Sequence, residues 1–433
     1  MIKNVSRRSF IKGAAGAAAV GAASSRFFAP TMISAQGSGV ELIYWHAFNS
    51  GANGEAQTKL IEDFNALGNG VTVVPTGYAN YEEVANAILT GLDSGDVPHI
   101  ATLSDVWWFS FYLRQALVEL SPFAENPDDY IASLFGDYTR NGGQWGVPFA
   151  RSTPIFYYNV EAFDAAGVDP AVVGKWSDFA GASASLVDAS DVTYSFGFGN
   201  AASYGAWTMH GAVWAFDGRY SDEDFNILIN KEGSVAAGEF MRDMVQTKKA
   251  GTVDNPTNEF IAGTLAAMIG STGSLGTITK DGTVEFKTAK LPEEIKFGCP
   301  TGGTGLSIIA GATDEQQQAA ATFMNFCTNT ENASFWSQYT GYMPVRTSAI
   351  ESEDYQAFLA EHPNNQVAIE QLPLTQPQDS ARVFIPNGDA NIGKAWEQIL
   401  VNNTPAQQAF DEVAALLEED KAPVIEALSA IEG

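Results

Sequence analysis

Apolar residues along the first third of the chain recur in two rhythms that alternate. Short β-prone runs at Glu41–Trp45, Val71–Val74 and Pro98–Leu103 are separated by segments with helical apolar spacing. The first of these segments is Glu55–Phe64, with Leu60, Ile61 and Phe64 on one face; Tyr81–Leu92 and Asp105–Leu113 follow. Gly68-Asn69-Gly70 and Gly95 punctuate the first two. Strand–helix–strand at this spacing predicts parallel βαβ units with right-handed crossovers. Ligands on such sheets sit beyond the carboxyl ends of strands, where His46, Tyr78–Tyr81 and Ser104-Asp105 fall.

The pattern changes at Val147–Asn159, VPFARSTPIFYYN. A proline resists helix; a guanidinium and two hydroxyls follow, then a second proline and an aromatic β-prone run. This reads as a crossing between two lobes with a ligand held beside it. Beyond it the spacing predicts helices at Ala162–Ala166, from Trp176 with Ser177 as N-cap, and at Tyr204–Ala215 and Val235–Thr247. A strand at Ala266–Ile269 runs into the turn Gly270–Leu275, which opens a helix. Ile295–Gly298 reads as a second return strand and Leu306–Ala310 as a further strand. Helices at Asp314–Cys327 and Ala333–Tyr339 precede a third crossing at Gly341–Val345. The remainder is helical at Ile350–Leu359, Ile392–Val401 and Ala406–Leu417. A chain of 433 residues exceeds the usual reach of one core, so two domains are expected.

Charge narrows the function. A formal net charge of −28 argues against nucleic acid or an anionic membrane as partner and favours a soluble monomer. The first 35 residues run against this trend, with five Lys or Arg and no Asp or Glu. Ser6-Arg7-Arg8-Ser9-Phe10-Ile11-Lys12 before a mild apolar run resembles a twin-arginine export signal. Cleavage after Ala35 and a periplasmic location are expected. Cys299 and Cys327 read as two unpaired buried thiols. Four histidines offer no zinc spacing, and no cofactor motif appears.

Several constellations could hold a small polar ligand. Ser271-Thr272-Gly273-Ser274 at a strand-to-helix turn offers hydroxyls and N–H groups to a phosphate or sugar, or simple N-capping. It lacks the lysine of a nucleotide-binding loop. Trp45, Tyr78, Tyr81, Trp145, Tyr157, Trp207 and Tyr342 are candidates for stacking on ligand carbons, two or three of them in practice, with the rest in the core. His46 is placed to donate to a ligand. Arg151 and Arg382 stand out in a chain poor in basic residues, because a fixed guanidinium suits phosphate or carboxylate; a surface salt bridge is the alternative.

Together these stretches resemble the periplasmic solute-binding proteins of ABC importers (extracellular solute-binding protein family 1), in their glycerol-3-phosphate-binding branch. The resemblance rests on Trp45-His46, Asn80-Tyr81-Glu82, Pro148-Phe149, Ser152-Thr153-Pro154, Tyr157-Tyr158-Asn159, Gly273-Ser274-Leu275, Gly302-Gly303 and Gly341-Tyr342 with Pro344, in that order. It implies a two-lobed α/β fold, each lobe a mainly parallel sheet flanked by helices, closing on a ligand by hinge motion. The lobes would be residues 36–150 with 298–341, and 151–297 with 342–433, after a signal peptide at 1–35. It implies ligand contacts at Tyr81, Asp105, Ser152, Ser271, Gly303 and Tyr342. Arg382 is the candidate for the family's phosphate-binding arginine. Asp105 stands where the family commonly has Glu, and Arg151 replaces a small polar residue. The implied function is a non-enzymatic receptor without cofactor. It would deliver glycerol-3-phosphate, or a glycerophosphodiester such as glycerophosphocholine, to inner-membrane permease subunits. A sugar, oligosaccharide or polyol receptor is the nearer alternative, an exported hydrolase the remoter one.

Overall fold

In the computed structural model, which describes residues 39–433, ten strands build two five-stranded sheets. They are β1 Val40–His46, β2 Val71–Gly77, β3 Ile100–Ser104, β4 Val147–Ser152, β5 Pro154–Asn159, β6 Gly197–Gly199, β7 Gly251–Val253, β8 Ala267–Ser271, β9 Phe286–Ala289 and β10 Gly302–Ile308. The first sheet has the order β2-β1-β3-β10-β4 and the second β9-β5-β8-β6-β7. A small hairpin, Thr139–Arg140 with Gly143–Gln144, stands apart. The signal segment and its cleavage site lie outside the described residues.

The βαβ reading holds for β1, β2 and β3, which pair in parallel. Each sheet is nevertheless mixed, not mainly parallel. In the first, β10 runs antiparallel to both β3 and β4; in the second, β5 runs antiparallel to β8 and β9. These antiparallel members belong to the passages between sheets. β4 and β5 are separated by Thr153 alone, so one residue carries the chain from the first sheet to the second. Every residue of both strands is buried. Gln371 fastens the passage, donating to Thr153 Oγ1 (3.0 Å) and to the Pro154 carbonyl (2.9 Å). The return runs through Pro300, which bridges to Gln376.

The first core gathers Leu42, Leu60, Phe64, Leu306, Phe323 and Met324, together with Met343 and Val345. The second includes Phe156, Trp176, Phe196, Met241, Trp396 and Phe410. Helix ends follow local chemistry. Asn80 caps Tyr81–Leu92 by accepting from the Glu83 N–H, and Thr313 and Gln316 form a capping box at Asp314–Cys327. Cys299 and Cys327 are free and buried.

Some local expectations fail for identifiable reasons. Ile295–Gly298 forms no strand: Ile295 is 71% exposed, and the return enters its sheet only at Gly302. Ser177 lies inside the helix Trp176–Ala189, its N–H held by the Glu294 carboxylate (2.9 Å), while Lys175 takes the N-cap place. Tyr204–Ala215 breaks into Gly205–Thr208 and His210–Ala215. The last helix continues from Ala406 to Glu432 through Pro423. Near its end Glu432 accepts from Arg140 (2.7 and 3.0 Å) and Tyr112 (2.9 Å).

Candidate ligand-binding site

The carboxyl ends of β1, β2, β3 and β8 open on one cleft of about 460 Å³ between the sheets. Of the ten residues singled out from sequence, eight line it: Tyr81, Asp105, Ser152, Trp207, Ser271, Gly303, Tyr342 and Arg382. Arg151 and His46 do not.

Each lining group is placed by its element. Tyr81 opens a helix behind the Asn80 cap, and its hydroxyl lies 3.0 Å from that of Tyr342. Tyr342 stacks on Trp336 at 6.0 Å and lies against Gly273, where an added Cβ would come within 2.4 Å of its ring. The Trp207 indole N–H donates to the Thr301 carbonyl (2.9 Å). Ser271 ends β8 and accepts from the Gly273 N–H (3.0 Å), so the turn 271–274 is capped as expected. Gly303 has φ +106°, and a Cβ there would sit 2.1 Å from the Ala150 carbonyl oxygen, so only glycine fits between β4 and β10. Its own carbonyl accepts from the Asp105 N–H (3.3 Å).

Behind the Asp105 wall lies a charge cluster. Arg151, 0% exposed, donates through Nη1 to Asp105 Oδ1 and through Nη2 to Asp137. The Tyr138 hydroxyl lies 3.2 Å from the same Nη1. Arg151 therefore neither faces solvent nor touches the cleft; it holds Asp105. Two carboxylates share one guanidinium in a dry site. Burial pushes the Asp137 carboxyl up to about 6 against the pull of Arg151, and the charge of Asp105 adds to the push.

That shift has a stability consequence. An ordinary aspartate titrates near 3.9, so between about pH 4 and pH 6 the folded state keeps a proton that the unfolded state has lost. The contribution of Asp137 to stability therefore falls as pH rises through that window. In thermal unfolding of the ligand-free protein, the gap between Asp137→Asn and wild type should move in the variant's favour from pH 4 to pH 7. A constant gap would contradict the shared-charge arrangement.

Arg382, which also lines the cleft, is 5% exposed. Its Nε lies 2.7 Å from Asp389 Oδ1, an ion pair without hydrogen-bond alignment, and its Nη1 donates to Gln378 Oε1. Among the described residues no partner holds its Nη2. Burial raises the pKa of nearby Glu82, with Asp389 acting in the same sense and Arg382 against it. His46 sits behind Phe48, whose N–H donates to its Nδ1 (3.2 Å); burial lowers its pKa to about 4, which keeps it neutral.

Residues 59–366 match the family of bacterial extracellular solute-binding proteins. The chain belongs to that family. This solute-binding protein also matches the twin-arginine translocation pathway signal sequence over residues 4–24, and it is exported to the periplasm. It is 35% identical to UgpB from Mycobacterium tuberculosis, solved in complex with glycerophosphocholine, with a TM-score of 0.84 over 90% of this chain and 100% of that one. It is 27% identical over 402 residues to the sn-glycerol-3-phosphate-binding periplasmic protein UgpB of Pectobacterium atrosepticum, covering 86% of this chain and 89% of the relative. The GacH receptor of Streptomyces glaucescens, 18% identical, shares the fold with a TM-score of 0.76, over 88% of this chain and 98% of that one.

Tyr204 and Asn258 of this solute-binding protein also line the cleft, and neither was singled out from sequence; Asn80, inside the strand-end stretch Tyr78–Tyr81, lines it as well. Tyr204 carried a detectable signal, an aromatic at the head of a predicted helix. It takes φ +57°, an uncommon conformation for a bulky residue. Asp137, Gln378 and Asp389 carried none, because their roles arise only where distant segments converge.

Proposed function

We propose that the protein is the receptor of an ABC importer for glycerophosphodiesters, with glycerophosphocholine as the representative ligand and glycerol-3-phosphate as the weaker one. The observation that carries this reading is the presence of Asp105 and Arg382 in one cleft. A carboxylate accepts the hydroxyl hydrogen bonds of a glycerol end, and a guanidinium suits a phosphate. Ser152 and Ser271 add hydroxyls, while Tyr81, Tyr342 and Trp207 cover carbon.

Charge balance favours the diester. Arg382 already shares its charge with Asp389, and Glu82 lies near. A phosphate dianion would add two negative charges to this setting, a diester only one. A cationic headgroup would be attracted by the same carboxylates and by the faces of Tyr204 and Trp207. The bound glycerophosphocholine of the M. tuberculosis relative supports this choice.

In this reading the two sheets are the two lobes, and they close on the ligand about the passages at Thr153 and Pro300. The protein acts as a monomer that binds, does not turn over its ligand, and docks on permease subunits. Calorimetry of the mature protein tests the reading, with 31P spectra of the same mixtures reporting turnover. Glycerophosphocholine is expected to bind tightest, glycerol-3-phosphate more weakly, and the diester to remain intact. Binding of maltose with no heat from either phosphate would overturn it.

A further inference from the structure

We propose that Gln378 is a positioning residue that couples the two ends of the ligand by holding Asp105 and Arg382 in one register. The inference rests on the glycerophosphodiester reading for its ligand, but its contacts stand in the ligand-free protein. Gln378 Nε2 donates to Asp105 Oδ2 at 2.6 Å, and Gln378 Oε1 accepts from Arg382 Nη1. The other oxygen of Asp105 is taken by Arg151, and the Nε of Arg382 faces Asp389. One amide thus joins the carboxylate proposed for glycerol to the guanidinium proposed for phosphate. The two are far apart in sequence, and Gln378 itself does not line the cleft.

The backbone is fixed on both sides of this side chain. Gln376 pairs with the return passage, its N–H donating to Cys299 (3.0 Å) and its carbonyl accepting from Thr301 (3.2 Å). Asp379 is buried; its carboxylate accepts from the Tyr220 N–H (2.7 Å) and from Arg219 (2.8 Å) and lies 2.9 Å from His210 Nε2. Between these anchors the side chain of Gln378 is held by its two hydrogen bonds. An uncharged amide can donate to a carboxylate and accept from a guanidinium at the same time. A carboxylate in its place would repel Asp105, and a hydroxyl is too short to reach both. The free Nη2 of Arg382 and the remaining lone pairs of Asp105 are thereby aimed before the ligand arrives, which lowers the ordering cost of binding.

Two substitutions test this. Gln378→Leu removes both hydrogen bonds and should weaken glycerophosphocholine binding roughly tenfold. Gln378→Glu should bind at least as poorly at pH 8 and recover toward wild type by pH 5.5. Once protonated, the introduced carboxyl can donate to Asp105 while its carbonyl accepts from Arg382. The charged groups around it are Asp105 and Arg382, backed by Arg151, Asp137, Glu82 and Asp389, with the Tyr138 hydroxyl behind them; His210 and Arg219 hold the neighbouring Asp379. Asp137 titrates in both proteins, so the signal is the difference between them. A ligand-free arm follows the melting temperature, where the gap between Gln378→Glu and wild type should close as the pH falls from 8 to 5.5. A merely space-filling role would lower affinity without acid recovery. Unchanged affinity in Gln378→Leu, or a Gln378→Glu deficit independent of pH in both arms, overturns the proposal. If wild type gives no heat with glycerophosphocholine but the ligand-free gap closes in acid, the contact with Asp105 stands and the ligand reading falls.

Discussion

Replacing Arg151 with methionine is expected to cost the fold about 3–5 kcal/mol, the usual result of removing one partner from a buried ion pair. The guanidinium is fully buried between Asp105 and Asp137, whose side chains are 9% and 10% exposed. Methionine fills similar volume but leaves two carboxylates facing each other in a dry site. The urea midpoint should drop with little change in slope. Adding Asp137→Asn should recover part of the loss, because it removes one of the two unpaired charges. A loss below about 1 kcal/mol, the range of exposed pairs, would mean that the cluster does not hold Asp105 in place.

The second large effect concerns affinity. Arg382→Ala should weaken glycerophosphocholine binding by about 2–4 kcal/mol, roughly 30- to 1,000-fold. The variant loses the cation proposed for the phosphate and leaves Asp389 without its partner. Arg382→Lys should fall between wild type and alanine, since it keeps the charge and loses the planar fork. Calorimetry with both variants checks this. Equal affinity for wild type and Arg382→Ala would remove the phosphate from the reading and favour a neutral polyol.

The site was largely legible where it depended on strand ends. Tyr81 and Asp105 follow β2 and β3 and Ser271 ends β8, positions that apolar patterning marks; Ser152, at the end of β4, was pointed to by the resemblance, since the pattern put it ahead of a strand and not at the end of one. The direction of a charge is not marked by such patterning. Arg151 stands out in sequence as a scarce cation beside the cleft, yet it points away from it into two carboxylates. Nothing in the local sequence of Asp137 or Gln378 marks them, since their partners come from other segments. The fold shows the same division. The β-branched run Val71–Val74 was readable, whereas Ile295–Gly298 has strand-like composition but no neighbour to pair with. The final helix was readable only to Leu417, because the charged run Glu418–Lys421 and Pro423 interrupt its apolar face; Val424 and Leu428 beyond them are buried and carry it on.

The place of β10 at the centre of the first sheet has a consequence for synthesis. β3 and β4 do not pair with each other; both pair with a strand that leaves the ribosome much later, roughly 150–200 residues on, a separation that slows folding. Until it arrives, the first sheet has two unfilled edges, although most of its sequence has been made. At about 5–20 residues per second, that interval lasts roughly ten seconds or more. A fragment ending before Gly302 should therefore fail to yield a stable first lobe, and the nascent chain stays open to chaperones and proteases through that wait.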